Sequence, residues 1–214
     1  MTRYDKRVQA LAVGLSALAG YVDALGFIHL GGFFVSFMSG NSTRLGVGLV
    51  ERTHDAAIAL GLIGLFVLGV ILGSLAGRRA QSHRRVVVLI VVGIALAVAA
   101  ALGAMGAATA TVVLMVIAMG AENAVFERDG DVHIGLTYMT GTLVKVGQRI
   151  ADSVTGGARF AWAPYLLPWL GLVGGAVAGA ATYTWLGLGG LWIAAGAAAL
   201  LALAAHHLHD PILA

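Results

Sequence analysis

AAIALGLIGLFVLGVILGSLAG, residues 56–77, runs through 22 positions without a charged side chain and stops at Arg78-Arg79. A helix of that length rises about 33 Å, enough to cross a hydrocarbon core of about 30 Å. Inside lipid the backbone must satisfy its own hydrogen bonds, so the stretch is read as a membrane helix. Working outward, five more apolar stretches read the same way: residues 8–28, 86–103, 109–125, 165–186 and 188–205. The whole chain agrees with them. Of its 214 residues 59% are hydrophobic and 11% charged, against roughly 25% charged in soluble domains. A soluble globular domain and a disordered chain are both excluded. The absence of cysteine excludes a disulfide framework, a thiol nucleophile and a thiolate metal site. A net charge of +3 does not point to nucleic acid, because the basic residues lie between the apolar stretches.

Two further segments, residues 31–50 and 134–150, are apolar but interrupted by glycine and polar residues. Charge decides how they are read. With six spans and a cytoplasmic N-terminus, Arg3, Lys6, Arg7, Arg78, Arg79, Arg84, Arg85, Arg128, Lys145, Arg149 and Arg159 lie inside. Only Arg44 and Arg52 lie outside. That bias is the one membrane insertion favours. Counting residues 31–50 as a full span would put the basic loop from Arg78 to Arg85 outside. Both interrupted segments are therefore expected to be re-entrant or broken, and both termini to be cytoplasmic. The turn at residues 104–108 carries no charge, as an outside turn should. Trp162, Tyr165, Tyr183 and Trp185 flank the fifth span as an aromatic belt. Ala17-Leu18-Ala19 has the form of a signal-peptide cleavage site, but the apolar run before it is short and the residues after it belong to a repeated motif. We expect the segment to be retained.

The two halves resemble each other. Gly20-Tyr-Val-Asp23-Ala24 matches Gly120-Ala-Glu-Asn123-Ala124 at an offset of 100. Ser36-Phe-Met-Ser-Gly-Asn41 matches Thr137-Tyr-Met-Thr-Gly-Thr142, and Arg44 matches Lys145, at an offset of 101. Gly69, Gly73 and Gly77 match Gly171, Gly175 and Gly179 at an offset of 102. Residues 1–105 and 106–214 then form two three-span repeats of one integrated membrane domain. An odd number of spans inserts the second copy from the opposite side, the plan of many transporters. The expected fold is an all-α polytopic membrane protein of six helices in two inverted repeats, each with a broken half-helix. The glycine triplets are expected to let helices pack closely, between the second and fifth spans within the chain or in a homodimer.

The blocks Gly20-Tyr-Val-Asp-Ala-Leu-Gly-Phe27, Phe37-Met-Ser-Gly-Asn41, Gly120-Ala-Glu-Asn-Ala124 and Tyr138-Met-Thr-Gly-Thr-Leu143 resemble those of the YoaK-like family. The resemblance covers nearly the whole chain. It implies a small multi-pass protein of the bacterial plasma (inner) membrane, in a family of unknown function. Glu122 stands where that pattern implies Gln.

Candidate chemistry lies in the repeated blocks. Asp23 and Glu122 fall well inside their spans, and intramembrane acids are costly and usually face a cavity or a partner. With Asn123, the neutral counterpart of Asp23, they are candidates for ion coupling. The alternative is a structural ion pair or hydrogen bond. Ser36, Ser39, Gly40 and Asn41, with Thr137, Thr140, Gly141 and Thr142, are candidates for substrate binding. Ser, Thr and Asn cap helix N-termini, and glycine lets a ligand approach the backbone. Two half-helices starting there would aim their positive dipole ends at a central site. Arg44 and Lys145 would add positive charge for an anionic group, unless they snorkel to the interface or pair with Asp23 and Glu122. His206, His207 and His209 read as a solvated tail, and His133 with Asp131 as a loop pair too weak for chemistry. No metal or cofactor is expected, and no enzyme, because no nucleophile stands beside a base. The partners expected are the lipid bilayer and a small solute or ion. The chain reads as a small secondary transporter of a small polar or anionic solute. A passive channel or an accessory scaffold is the alternative.

Overall fold

The structure is a computed structural model, and it describes residues 5–128, 131–132 and 139–208. Among these, eight helices carry the fold: α1 (Lys6–His29), α2 (Met38–Glu51), α3 (His54–Ala80), α4 (Arg84–Ala104), α5 (Ala108–Glu122), α6 (Met139–Val154), α7 (Ala163–Leu186) and α8 (Leu191–His206). After α5 the chain passes through a short 3-10 turn into a two-residue antiparallel pair, Glu127–Arg128 with Asp131–Val132. Asp5 starts α1, accepting a hydrogen bond from the Arg7 N–H at 2.9 Å.

Four stretches are long and apolar enough to cross a membrane: Lys6–His29, His54–Ala104, Ala108–Phe126 and Ala163–His206. The second and fourth run to 51 and 44 residues, about 77 and 66 Å if straight. Neither is straight. Gln81, with φ of 47°, breaks the second stretch between α3 and α4. Gly187, with φ of 52°, opens the turn between α7 and α8. These angles lie in the left-handed region, where a right-handed helix cannot continue and where glycine carries no side-chain penalty. Each of the six apolar stretches read from the sequence thus falls on its own helix: α1, α3, α4, α5, α7 or α8. Leu15, Leu25, Leu89, Leu96, Met115 and Met119 are sealed inside, while Leu60, Ile71, Ile94, Val177, Leu200 and Leu203 face outward. A surface as apolar as the interior suits lipid and not water.

Two helix pairs pack closely beside a core formed mainly by α1, α4, α5 and α8. α1 lies along α7, and α3 lies along α5. Glycine makes both contacts. A Cβ at Gly20 would strike the Leu172 carbonyl, one at Gly175 the Ala17 carbonyl, and one at Gly179 the Tyr21 carbonyl. In the other pair Gly120 meets Phe66, Gly69 meets Ile117, and Gly73 meets Ala121. These are contacts within one chain, but they correct the expected pairing of the second span with the fifth: α3 meets α5 and α7 meets α1, because each glycine face finds a backbone of the other repeat block and not its own copy. Their partners on α1 and α5 differ by 100 positions (20 and 120, 17 and 117, 21 and 121). Those on α3 and α7 differ by 106 (66 and 172, 69 and 175, 73 and 179). The glycine alignment at 102 is thereby corrected by four residues. Gly69 answers to Gly175, and Gly73 to Gly179. A glycine every fourth residue looks the same after a shift of one helical turn, so spacing alone cannot choose between the two registers.

Gly77 is a further correction. The atoms nearest to it belong to a side chain and not to a helix backbone. Its missing side chain leaves room for Arg84, whose Cγ and Nε would lie 2.8 Å from a Cβ there. α4 packs on α8, which joins the last helix of one half to the last helix of the other.

Candidate functional site

Asp23 lies six residues before the end of α1, roughly 9 Å along its axis. Gly31 and Gly32, with φ of 66° and 108°, turn the chain back on itself after that end. A side chain at Gly32 would also collide with Arg44, whose Nη2 would be 2.5 Å from a Cβ. Residues 33–37 then descend beside α1 in non-helical form. Asp23 Oδ1 accepts the N–H groups of Val35 at 2.8 Å and Ser36 at 2.7 Å. Asn41 is fully buried. Its Oδ1 accepts the Phe34 N–H at 3.0 Å and its Nδ2 donates to the Phe34 carbonyl at 2.7 Å. Backbone that is neither helical nor in water must find partners elsewhere, and these two side chains supply them.

The expected capping arrangement is corrected by this geometry. α2 starts at Met38, with Phe37 in the cap position and no side-chain cap bond. Ser39 and Gly40 lie within its first turn. The N–H groups of Gly40 and Asn41 go to the Phe37 carbonyl, at 3.1 and 3.4 Å. The Asn41 amide, no longer needed by the helix, reaches back to the loop instead. In the second half α6 starts at Met139, so Thr140, Gly141 and Thr142 also lie in a first turn.

The other candidate residues are spread more widely than the sequence reading places them. Ser36 is buried beside Asp23, and Ser39 is exposed. Arg44 is half-buried. Its Nη1 lies 4.0 Å from Asp55 Oδ2, and its guanidinium sits 4.7 Å from the centre of the Phe33 ring. Arg44 is thus paired with Asp55 and not with Asp23. Thr140, Gly141 and Lys145 are exposed, and a Cβ at Gly141 would meet open space. Thr137, His133 and His209 lie outside the described residues. The two half-helices do not lie along one another. α2 packs on α3 and α6 on α7, each on the next helix of its own half.

In the second half Glu122 is completely enclosed at the end of α5. Among the described residues neither of its carboxyl oxygens has a hydrogen-bond partner. Asn123 turns back along its own helix and donates to the Met119 carbonyl at 3.0 Å.

Just beyond stands a cluster that sequence reasoning missed. Glu127 accepts the Ser74 hydroxyl and lies 2.8 Å from Arg84 Nη2 and 3.3 Å from Arg78 Nη2. Arg84 Nε also donates to the Ala124 carbonyl at 3.1 Å. One carboxylate therefore ties α3 and α4 to the end of α5. Burial pushes the Glu127 carboxyl up, but the Ser74 hydroxyl and the charges of Arg84 and Arg78 outweigh it. They hold it below the usual glutamate range. A group with a lowered folded pKa adds stability above its unfolded value, about 4.3 for glutamate, and loses it as pH falls through the folded value. The parent protein should lose thermal stability as pH falls below about 4.3. Glu127→Gln should melt lower at neutral pH and show a shallower acid loss, read by thermal melts in detergent. An equally steep loss in the variant would mean that another group is responsible.

Apolar helices facing outward, helix pairs packed through glycine and a chain break bonded by Asp23 and Asn41 define a multi-pass helical membrane protein. The chain matches the family described as a protein of unknown function (DUF1275) over residues 11–204, and it belongs to that family. It is also 39% identical over 196 residues to the UPF0700 transmembrane protein RA0705 of Rhizobium meliloti (strain 1021), which covers 92% of this chain and 85% of the relative. No solved structure matches the chain.

Proposed function

We propose that the chain is a small secondary transporter, and not an enzyme. It moves a small polar or anionic solute through a site between two inverted three-span repeats. In this reading it sits in the bacterial plasma membrane with six crossings and cytoplasmic termini. The observation that carries the reading is the non-helical segment 33–37, held roughly 9 Å inside the end of α1 by Asp23 and Asn41. Irregular backbone at membrane depth is tolerated where it is enclosed by protein or lines a water-filled cavity. Broken helices of this kind are where transporters bind substrate. Two further observations support it. The glycine contacts pair α1 with α7 as they pair α5 with α3, as inverted copies would. The basic residues gather on one side under the six-span assignment.

The solute site in this reading is formed by the first turns of α2 and α6. Ser36, Ser39, Gly40, Thr140, Gly141 and Thr142 lie closest to it in the chain, with Thr137 in the matching position of the second half. Asp23 is the backbone clamp, which moves ion coupling toward Glu122 and Asn123. Arg44 and Lys145 sit further out and act on approach of the solute. The glycine contacts are used within one chain, so the reading does not need a homodimer.

A ligand panel tests this. Small anions, amino acids, nucleobases and cations would be screened by thermal shift at about pH 5.5 and pH 7.5. A binder raises the melting temperature by mass action. The reading predicts a hit that weakens at least about tenfold in Ser39→Ala and Thr140→Ala, roughly 1.4 kcal/mol. It also predicts saturable uptake of that hit in vesicles. Flux that rises linearly without saturation would point to a channel. A flat panel with a constant co-purifying protein would point to a scaffold.

A further inference from the structure

We propose that Glu122 is a proton-binding site, taking up a proton when α5 is packed against α3 and α4 and releasing it when that packing opens. The site stands on the helix packing. Only the use made of the proton rests on the transport reading.

The side chain is fully enclosed, and among the described residues both oxygens lack a hydrogen-bond partner. The residues before it on α5 lie hard against the α3 backbone. Ala121, the preceding residue, is so close to α3 that a Cβ at Gly73 would lie 2.7 Å from its Cα. A turn earlier, Ile117 is in similar contact with Gly69. The charged groups on the packed elements are engaged elsewhere. Arg84 on α4 is held by Glu127 and the Ala124 carbonyl, and Arg78 on α3 by Glu127. Arg85 on α4 lies over the Phe126 ring, 5.8 Å from its centre. Asp23 on α1 is held by Val35 and Ser36.

A carboxylate in such a place would be a buried charge with neither a counter-ion nor a donor among the described residues, which is very costly. The neutral acid is the form this packing accepts. Opening α5 away from α3 and α4 admits water. The carboxyl O–H bond then breaks, its electron pair stays on the carboxylate, and the proton passes to water. Reclosing requires the proton back. One proton is therefore exchanged for each opening and closing, without any redox step. Asp23 does not share this property, because its two N–H donors are built in.

The chain has three glutamates, Glu51, Glu122 and Glu127, which makes the test direct. The full-length protein is labelled with carbon-13 at the glutamate side-chain carboxyl and placed in phospholipid vesicles at neutral pH. We expect two ionised carboxyl resonances and one neutral. The neutral one should disappear in Glu122→Gln and persist in Glu127→Gln. If Glu122→Gln does not fold, Glu51→Gln and Glu127→Gln assign the two ionised signals and leave the third by elimination. Raising the pH should convert the neutral resonance reversibly. Three ionised resonances at neutral pH would overturn the proposal. So would a neutral signal that belongs to Glu51 or Glu127, or one that persists until the bundle itself unfolds. A neutral, titrating Glu122 with a flat ligand panel would leave the proton site standing and remove the transport reading.

Discussion

Gly73→Leu is expected to abolish the folded protein, while Gly64→Leu on the same helix is expected to leave it unchanged. Both are glycines of α3, and both replace hydrogen with the same four carbons. They differ in what lies opposite. At Gly73 a Cβ would come within 2.7 Å of both the Cα and the carbonyl oxygen of Ala121. At Gly64 there is nothing within 4 Å. Overfilling a core commonly costs 1–3 kcal/mol when side chains can shift. At Gly73 the obstacle is the α5 backbone, so α3 and α5 must separate, and the cost should exceed about 3 kcal/mol. Detergent-solubilised protein should show the difference by size-exclusion profile and melting temperature. A Gly73→Leu variant that elutes and melts like the parent would mean that the α3–α5 contact is not a determinant of the fold.

Asp23→Ala should be the second most damaging change, and Asp23→Asn a mild one. Alanine leaves the Val35 and Ser36 N–H groups buried without an acceptor. Each orphaned group costs about 1–3 kcal/mol, so the pair costs about 2–6 kcal/mol. That is comparable with the whole stability of many proteins, about 5–15 kcal/mol. Asparagine keeps an oxygen where Oδ1 stands and loses only the charge of the acceptor, about 1–2 kcal/mol. The ratio of the two losses is the informative quantity, read from melting temperatures of both variants. A pure charge relay would make Asn as harmful as Ala to activity while sparing stability in both. The clamp predicts that stability separates them.

How much of this was legible in the sequence depends on the distance over which each feature is encoded. The apolar stretches were legible because a membrane helix is a local property, and all six fall on helices. The first break was legible only in part: glycine and polar residues interrupt the apolar segment 31–50, but the break falls at residues 33–37, and Ser39-Gly40-Asn41 lie inside the first turn of α2. The role of Asn41 was not. Whether an amide caps its own helix or reaches back to a loop depends on which donors the fold leaves without partners. The glycine register was misjudged because a four-residue repeat is blind to a shift of one turn. The Glu127 cluster was invisible because Glu127 lies 53 residues beyond Ser74 and far along the chain from Arg84, and they meet only when α3, α4 and the segment after α5 assemble. Glu122 was legible as an intramembrane acid. That its carboxyl oxygens have no partner among the described residues is a property of the packing and needed the structure.

The chain contains no cysteine, so a single introduced thiol reports its own side of the membrane without background. Thr53, at the α2–α3 turn, and Ser82, at the α3–α4 turn, are both exposed and lie at opposite ends of α3. The account makes α2 a re-entrant element, which puts Thr53 outside and Ser82 inside. With a membrane-impermeant thiol reagent on intact cells, Thr53→Cys should label directly and Ser82→Cys only after the membrane is opened. Labelling of Ser82→Cys in intact cells, with Thr53→Cys protected, would mean that α2 crosses the membrane, and the inverted-repeat account would be wrong.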